Sequence, residues 1–513
     1  MFILQIQHLS PPVQRFLLKS QQHFAFPQLE AGILRSHSFA VFNSTGEDKA
    51  AVFKAGSLTK LVTGLAVLLC QEKGLLNIHQ PAAKCLPWLP GKATVLDLLL
   101  HTGGIPRGKL WKCNPGLQEI QSALSRLPGE DIRTGQYRYS NLGFILLGFI
   151  IQQVTGTCYE QYITGQVLVP LHMHASGFGN KESGSITTPH TLLHFYAAAN
   201  HPYPLKAVQL EAAPHAAFDL HTTIPDFSRL LYCLLHQGTY GGKQVFQPAT
   251  VDLLLQLHQP AGKRVSTGIG HLRTQAHNGV LLFQSGEHFG HSASLLWHVE
   301  KQQVYLAMTN RGGASSELAY VLQCLNRYYL QNGNTTALNF NYPGTGNFTG
   351  TYQYNATVFS ISKAGNNLQL TSGRHRSDLI YKGQGIFQQT LPHWGRYFIR
   401  ADMNGQTAKG LFVGPCYFHK TGHNETLPGH KEPPHTTAGI YQHPAVGRVA
   451  VFMRNKQLIL AYAPLKESRL HPIADNHYVQ TDGPFCGEAV IFDTHHHQML
   501  LGGFDFRKTP YHY

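Results

Sequence analysis

The sequence has little charge and no concentrated run of basic residues. Asp, Glu, Lys and Arg make up 13% of its 513 residues, and no more than two basic residues occur in a row, although the net charge is +14. Nucleic-acid-binding proteins usually gather Lys and Arg on one face or stripe. The scattered basic residues therefore predict a mildly basic, solvated surface and no nucleic-acid partner.

Paired cysteines and long apolar runs are also absent. The chain has no C-x-x-C pair and no dense cysteine framework, so isolated thiols in a reducing compartment are the favoured interpretation. The longest apolar run, at residues 144–151, is far too short to span a bilayer. The N-terminal stretch MFILQIQHLSPPVQRF has no basic region followed by a long apolar segment, so no secretory signal is evident. The eight cysteines are at positions 70, 85, 113, 158, 233, 324, 416 and 486.

The first 335 residues mix helix and strand patterns and are predicted to form one α+β domain. Periodicity and boundary residues predict apolar helices at 57–73 and 141–154, surface helices at 225–238 and 248–258, and a closing helix at 315–329. They also predict strands at 281–283, 292–299 and 304–309, and a hairpin over 38–53 with Asn-Ser-Thr-Gly at its turn.

The composition changes after the first domain. Residues 332–346 are rich in Asn, Gly and Thr, which is typical of a linker. The remainder alternates like an all-β segment and repeats itself, because GTYQYN resembles GIYQHP and YFHKT resembles DFRKT at a nearly constant offset. This predicts two tandem antiparallel β modules at 342–425 and 434–513. Modules of this size usually close or pair to remove their edges, so they are candidate barrels.

A Ser-x-x-Lys pattern occurs twice. Ser57 and Lys60 lie in FKAGSLTK at the start of an apolar helix, whereas Ser360 and Lys363 lie in an alternating strand of the first β module. Residues i and i+3 share a face of a helix but point to opposite faces of a strand. Only the first pair is therefore predicted to cooperate.

The first pair has the properties of an activated nucleophile. Ser57 is predicted at a helix N-terminus, where free N–H groups stabilise developing negative charge. Burial disfavours the charged form of Lys60, so its amine could accept the Ser57 proton. The alternative for this segment alone is a serine N-cap followed by a lysine that reaches solvent.

Two further segments supply candidate partners. Tyr139 and Asn141, in Tyr-Ser-Asn before the second apolar helix, could shuttle a proton and bind an amide. His291, Ser292 and Ser294 open an apolar strand, whose edge could offer an oxyanion N–H group. The triplet at 495–497 is predicted to be a polar turn rather than a metal site.

Together these segments resemble the serine β-lactamase and penicillin-recognising family. FKAGSLTK is similar to its Ser-x-x-Lys motif, residues 139–173 to its Tyr-x-Asn motif and helix, and GHSAS to its His-Thr-Gly or Lys-Thr-Gly strand. The segment DLLLHTGGIPRG at 97–108 resembles the loop after the nucleophile helix. The match covers about 38–330 and is closest in style to class C β-lactamases, D,D-carboxypeptidases, D-aminopeptidases and related esterases.

The resemblance implies a β-lactamase-like antiparallel sheet flanked by helices, with a helical subdomain. It also implies a serine hydrolase that forms an acyl-enzyme with a D-amino-acid peptide, a β-lactam, or a small ester or amide, without a cofactor. Ser57 would be the nucleophile, Lys60 and Tyr139 would share proton transfer, and Asn141 would contact the substrate amide.

The resemblance also assigns roles to the strand motif. His291 and Ser292 would line the site and bind a carboxylate or carbonyl, and the N–H groups of Ser57 and Ser294 would form the oxyanion hole. Ala293 stands where the family usually has Gly, and the following loop is short. A non-catalytic ligand sensor or scaffold working through its β modules is therefore the alternative. Relatives are mostly periplasmic or secreted, so these compartments stand beside the cytoplasm as expectations.

Overall fold

The computed structural model divides the chain into two units. The first comprises residues 1–21, 26–189 and 208–338, and the second comprises residues 22–25, 190–207 and 339–513. The residues described are 6–7, 9–24, 26–35, 38–46, 50–105, 117–125, 135–179, 186–188, 190–191, 203–204, 215–261, 265–276, 278–288, 290–338, 347–354, 357–365, 367–383, 386–389, 398–404, 407–413, 416–421, 437–443, 447–455, 457–463, 466–474, 477–480, 489–493, 497–501 and 504–509.

The described helices and strands up to residue 338 are numbered in chain order. The helices are α1 (Pro11–His23), α2 (Thr59–Glu72), α3 (Val95–Leu99), α4 (Leu117–Ser125), α5 (Asn141–Thr155), α6 (Tyr159–Ile163), α7 (Ile224–Leu235), α8 (Pro248–Gln256) and α9 (Ser315–Leu330). The strands are β1 (Ile6–Gln7), β2 (Leu29–Arg35), β3 (Ser38–Asn43), β4 (Phe53–Lys54), β5 (His190–Thr191), β6 (Tyr203–Pro204), β7 (His221–Thr222), β8 (Thr239–Tyr240), β9 (Lys243–Gln244), β10 (His258–Pro260), β11 (Val265–Gly268), β12 (Leu272–Ala276), β13 (Gly279–His288), β14 (His291–His298) and β15 (Gln303–Thr309).

Nine of these strands form the central sheet, in the order β1-β3-β2-β15-β14-β13-β12-β11-β10. Neighbours are antiparallel except β1 and β3, which pair in parallel. Strands β14 and β15 are buried at almost every position, as expected for the middle of a sheet covered by helices. The α+β prediction for this part of the chain is confirmed.

The hairpin predicted over 38–53 is wrong. Strand β3 pairs with β2, and the short strand β4 pairs with β7 instead. The Asn-Ser-Thr-Gly stretch does form a turn, but it follows β3 without returning the chain to it. Hydrophobic alternation could not specify which of several strands each segment would join.

Two apolar helices pack together beside the sheet. Helix α2 has buried residues from Thr59 to Cys70 without interruption, and α5 is similarly apolar. The Ser140 side chain accepts a hydrogen bond from the Gly143 N–H group and so caps α5, while Gly156 ends the helix in the left-handed conformation. These local signals fix where α5 begins, which places Asn141 at its first position.

The C-terminal part forms two closed antiparallel sheets. Strands β16 (Gly350–Tyr354), β17 (Thr357–Ala364), β18 (Asn367–Ser372), β19 (His375–Gly383), β20 (Ile386–Gln388), β21 (Phe398–Asn404), β22 (Thr407–Val413) and β23 (Cys416–Lys420) form the first. Strands β24 (Gly439–His443), β25 (Gly447–Arg454), β26 (Gln457–Ala463), β27 (Lys466–Ala474), β28 (His477–Gln480), β29 (Ala489–Asp493), β30 (Gln498–Leu501) and β31 (Phe504–Lys508) form the second. Each sheet closes because its first and last strands pair.

The two barrels repeat one another in detail. The Tyr352 hydroxyl donates a hydrogen bond to the carbonyl of Phe348, and the Tyr441 hydroxyl donates one to the carbonyl of Thr437, both at 2.8 Å. Each barrel interior is filled by apolar side chains. Of the linker predicted at 332–346, residues Thr335–Leu338 form a 3₁₀ turn and 339–346 lie outside the described residues. The stretch between the two barrels, 422–436, also lies outside them.

No single helix within the described ranges combines the length and apolarity needed to cross a membrane. Helix α5 and residues Tyr159–Leu168 reach the threshold only when taken together, and they are bent by 79° relative to each other.

Candidate active site

Ser57 lies in a short 3₁₀ turn, Gly56–Leu58, between β4 and α2. The turn is fixed by its own backbone and by Thr59, whose hydroxyl donates to the Gly56 carbonyl at 2.6 Å. The Ser57 side chain is half-buried. Ser57 therefore stands just before α2 with its side chain partly open to solvent.

Lys60 occupies the first turn of α2 and is completely buried, with 0% exposure. Its Nζ atom lies 3.0 Å from Ser57 Oγ, 2.8 Å from Asn141 Oδ1 and 2.7 Å from the Ala217 carbonyl oxygen. Burial lowers the pKa of Lys60 well below its ordinary value. A neutral amine has two N–H groups for Asn141 and Ala217 and one lone pair for the Ser57 proton.

Tyr139 completes the cluster. Its Oη atom lies 2.7 Å from Ser57 Oγ. The His101 ring packs against the Tyr139 ring at 4.5 Å between centroids, and His101 Nδ1 accepts a hydrogen bond from the Ser140 N–H group at 3.1 Å. His101 thus holds the residue before α5 and the Tyr139 ring together.

The structure brings four predicted residues into one hydrogen-bonded group: Ser57, Lys60, Tyr139 and Asn141. They come from three elements, since the turn, α2 and the start of α5 meet here. Such a group can move a proton between a hydroxyl, an amine and a phenol, which is the chemistry of an activated serine nucleophile.

Two glycines allow strand β13 to approach the Ser57 turn closely. A Cβ atom on Gly286 would lie 2.1 Å from the Ala55 carbonyl oxygen and 3.0 Å from the Ser57 nitrogen. A Cβ atom on Gly56, whose φ is +54°, would lie 2.4 Å from the Glu287 nitrogen. The β13 backbone therefore packs directly on the turn, and a side chain at Gly286 would force the two apart.

The placement of the strand motif differs from the prediction. We expected β14, with His291, Ser292 and Ser294, to border Ser57, but the backbone packed against the turn through Gly286 belongs to β13. Strand β14 lies between β13 and β15, and all eight of its residues are buried. It is an interior strand, so it does not offer Ser57 the exposed edge that the sequence predicts.

The polar side chains at the start of β14 have structural partners instead. Ser292 Oγ lies 2.7 Å from both Glu287 Oε2 and the Arg311 carbonyl oxygen, and it accepts a hydrogen bond from the Ala314 N–H group at 2.9 Å. The His291 ring packs edge-on to Phe53 at 6.3 Å. These contacts hold the start of α9 and the sheet together.

Sequence reasoning missed the contributions of Gly286 and Ala217. Gly286 lies in the polar run QSGEHFG, which looks like a turn, although a glycine inside a strand often marks the close approach of another backbone. On the same strand Gln284 is buried, with Nε2 3.5 Å from the Ser57 carbonyl oxygen, and Ser285 is exposed. Ala217 acts through its carbonyl oxygen, which no residue pattern predicts.

Within the described part of the chain, no group of three or more His, Cys, Asp and Glu side chains is arranged to hold a metal ion. Two histidines of the triplet at 495–497, at positions 495 and 496, lie outside the described residues.

Comparisons with known proteins were consistent with this geometry. The Beta-lactamase family model matches residues 34–321. Protein flp of Staphylococcus aureus (strain MRSA252) is 33% identical over 150 residues, which cover 26% of this chain and 29% of that relative. The match thus spans less than a third of the relative's length.

Solved structures share the fold at low identity. An octameric penicillin-binding protein homologue from Pyrococcus abyssi is 16% identical with a TM-score of 0.57, covering 88% of this chain and 98% of that one. SurE, crystallised with D-Leu, is 19% identical with a TM-score of 0.50, covering 80% and 98%. Because the family model spans more than half of the residues, the chain belongs to the β-lactamase family, whose members are serine hydrolases.

Proposed function

We propose that this protein hydrolyses a neutral ester or amide through an acyl-enzyme formed on Ser57. The observation that carries the proposal is that Ser57 Oγ lies within hydrogen-bonding distance of two proton carriers, 3.0 Å from Lys60 Nζ and 2.7 Å from Tyr139 Oη. A nucleophile, a base and a proton shuttle in one half-buried group are the parts that acyl transfer requires.

Acylation moves one proton and exchanges one bond. The neutral Lys60 amine takes the Ser57 proton while Ser57 Oγ attacks the carbonyl carbon. Collapse of the tetrahedral intermediate breaks the bond to the leaving group, which receives the proton from Lys60 through Tyr139. Water then attacks the acyl-enzyme by the reverse proton path, releasing the acid and restoring the Ser57 hydroxyl. Asn141 contacts the Lys60 amine at 2.8 Å and can orient an amide at the same site.

The developing oxyanion needs donors beside Ser57. We assign these to the N–H groups of Ser57 and Glu287, replacing the Ser294 donor that the sequence predicts. The approach of the Gly286–Glu287 backbone to Gly56 and Ser57 supports this assignment. Backbone donors held by a turn and a strand are preorganised, which is how an oxyanion hole lowers the barrier.

The same strand favours an uncharged acyl group. Gln284 and Ser285 are neutral, and the Glu287 carboxylate is bound by the Ser292 hydroxyl at 2.7 Å and by the N–H groups of Gly313 and Ser315, both at 2.9 Å. These three side chains of β13 offer no cation to a substrate carboxylate, and a small ester or an amide needs none. SurE, which shares the fold, was crystallised with D-Leu, so D-amino-acid amides belong in the test panel.

A labelled fluorophosphonate tests the nucleophile. We expect one adduct on the intact wild-type protein, mapped to Ser57, and none on Ser57→Ala. Turnover is then compared on matched esters, D- and L-amino-acid amides and a penicillin. Absence of any adduct would overturn the proposal and favour the scaffold alternative, and hydrolysis of the penicillin ahead of the neutral substrates would overturn the substrate class.

A further inference from the structure

A buried polar cluster outside the proton-transfer group centres on Asp219. This side chain is 2% exposed, and its Oδ1 atom lies 2.7 Å from Lys54 Nζ and 3.0 Å from His288 Nε2. Its Oδ2 atom lies 2.6 Å from His215 Nδ1 and accepts a hydrogen bond from the Gly179 N–H group at 3.2 Å. One carboxylate therefore binds four separate points of the chain.

Burial alone would raise the pKa of Asp219. The close contacts with His215 and His288 and the charge of Lys54 instead hold its pKa well below the ordinary range. A buried carboxylate is tolerated only when it is paired and hydrogen-bonded in this way, and removing one partner leaves the other charge uncompensated. The Asp219 carboxylate is therefore ionised and held by several partners.

Each member of the cluster belongs to a segment that the site uses. Lys54 ends β4, immediately before the turn that carries Ser57. His288 ends β13, the strand that packs on that turn. Asp219 follows Ala217, whose carbonyl oxygen accepts the Lys60 hydrogen bond.

The loop that carries Asp219 is also docked along α2. The Ala216 carbonyl accepts a hydrogen bond from the Thr63 hydroxyl at 2.6 Å, and the Leu220 N–H group donates one to Thr59 Oγ1 at 3.1 Å. The Ala55 N–H group donates to the Leu220 carbonyl at 2.8 Å. Movement of this loop would therefore move both the Ala217 carbonyl oxygen, which accepts the Lys60 hydrogen bond, and Ala55, which precedes the Ser57 turn.

We propose that Asp219 is a positioning residue that clamps β4, β13 and the Ala217 loop into the geometry required for acylation of Ser57. The expected effect on the acylation rate rests on the proposed function, whereas the holding together of these three segments does not depend on it. It reaches the reacting atoms only through other residues, because its carboxylate contacts Lys54, His215 and His288 rather than Ser57 or Lys60.

The kinetic test compares fluorophosphonate labelling of the full chain and the Asp219→Asn variant. We expect the maximal labelling rate to fall about tenfold to hundredfold, since small misplacements of reacting groups cost that much. The probe concentration at half-maximal rate should change little, because the surface that contacts the probe is retained. The double variant Asp219→Asn/Lys54→Met removes the stranded cation and should recover part of the rate.

Asp226→Asn is the matched control. Asp226 is also a buried carboxylate of this unit, accepting hydrogen bonds from the Ala175 N–H group at 2.8 Å and the Ser176 hydroxyl at 2.9 Å, but it lies outside the cluster. We expect it to lower thermal stability without lowering the maximal labelling rate. An Asp219→Asn protein that folds and labels at the wild-type rate would contradict the clamp.

Hydrogen-exchange mass spectrometry separates the clamp from the chemistry. Asp219→Asn should raise exchange in peptides covering β4, the first turn of α2 and the end of β13, and Asp226→Asn should not. If hydrogen exchange in these peptides is the same in Asp219→Asn as in the wild type, the clamp is overturned. If exchange changes as expected but the wild-type protein is not labelled by the fluorophosphonate, only the proposed function is overturned. If Asp219→Asn does not fold, His288→Gln takes its place with the same expectations and the same overturning result.

Discussion

The two Ser-x-x-Lys copies have the same residue pattern in opposite structural settings. Ser57 and Lys60 lie on the turn and first helical turn of α2, with Oγ and Nζ 3.0 Å apart. Ser360 and Lys363 lie on β17, where they pair with Thr371 and Leu368 of the next strand. The spacing is the same, but only the helical geometry places both side chains on one side.

The difference shows that reactivity comes from surroundings rather than from spacing. Lys60 is wholly buried beside Asn141 and the Ala217 carbonyl, whereas Lys363 is exposed on the barrel surface. Burial lowers the pKa of Lys60 and so favours its neutral amine, which can accept a proton. The comparison therefore predicts opposite outcomes for equivalent substitutions in the two copies.

Replacement of the two serines should give the largest contrast. Ser57→Ala removes the nucleophile and should lower hydrolysis of the best panel substrate by more than about 10⁴-fold. Ser360→Ala should leave the rate unchanged, since it lies in a barrel strand. Steady-state rates with an intact-mass check of both variants measure the difference, and equal losses in both would break the comparison.

Replacement of the two lysines should give a smaller contrast. Lys60→Met removes the proton acceptor but keeps the bulk, and should slow labelling of Ser57 by about 10²- to 10⁴-fold. Lys363→Met should have no effect on labelling. The rate of fluorophosphonate incorporation measures both variants, and a Lys60→Met protein that labels as fast as the wild type would exclude Lys60 as the base.

The packing of β13 on the turn predicts a moderate effect at Gly286. In Gly286→Ala the new methyl group would meet the Ala55 carbonyl oxygen, so strand and turn must separate and labelling should slow about tenfold to hundredfold. Ala293 of β14 pairs directly with Gly286 of β13, and Ala293→Gly provides the control. That variant should lose stability but keep most of the labelling rate. If Ala293→Gly slowed labelling more than Gly286→Ala does, β14 rather than β13 would be the strand that binds the substrate.

The pH dependence should give the smallest and most specific effect. Because the pKa of Lys60 is lowered, labelling should increase as pH rises through that pKa and then level off. The free energy of unfolding should also increase with pH, because below the ordinary lysine pKa the unfolded chain binds a proton at Lys60 that the folded chain does not. The stability of the wild type should therefore fall relative to that of Lys60→Met as the pH falls below the ordinary lysine pKa. Chemical unfolding of both proteins across the pH range measures this difference.

Much of the proton-transfer group could be predicted because its members have local signatures. Ser57 and Lys60 are three residues apart on a helix, and Tyr139 and Asn141 flank the Ser140 cap of α5. The repeated β modules could also be recognised, although closure of each barrel depends on pairing between its first and last strands, which are distant in sequence.

The remaining features depend on nonlocal contacts. Ala217 contributes a carbonyl oxygen, which any residue could supply. Asp219 acquires its partners only when folding brings together segments that are distant in sequence. The strand beside Ser57 was misplaced because GHSAS precedes a clear apolar strand while QSGEHFG looks like a turn. In the structure β13 continues to His288, and the chain reverses between His288 and His291.

The contact between β13 and the nucleophile turn is made by main-chain atoms at Gly56 and Gly286. A main-chain contact tolerates changes in an exposed side chain that takes no part in it. Ser285 is exposed, so its position can change during evolution, or in a laboratory library, with little effect on Ser57, whereas Gln284 contacts the Ser57 carbonyl oxygen and Glu287 binds Ser292 and the start of α9. The Ser285 side chain is therefore where an altered substrate preference would first be sought.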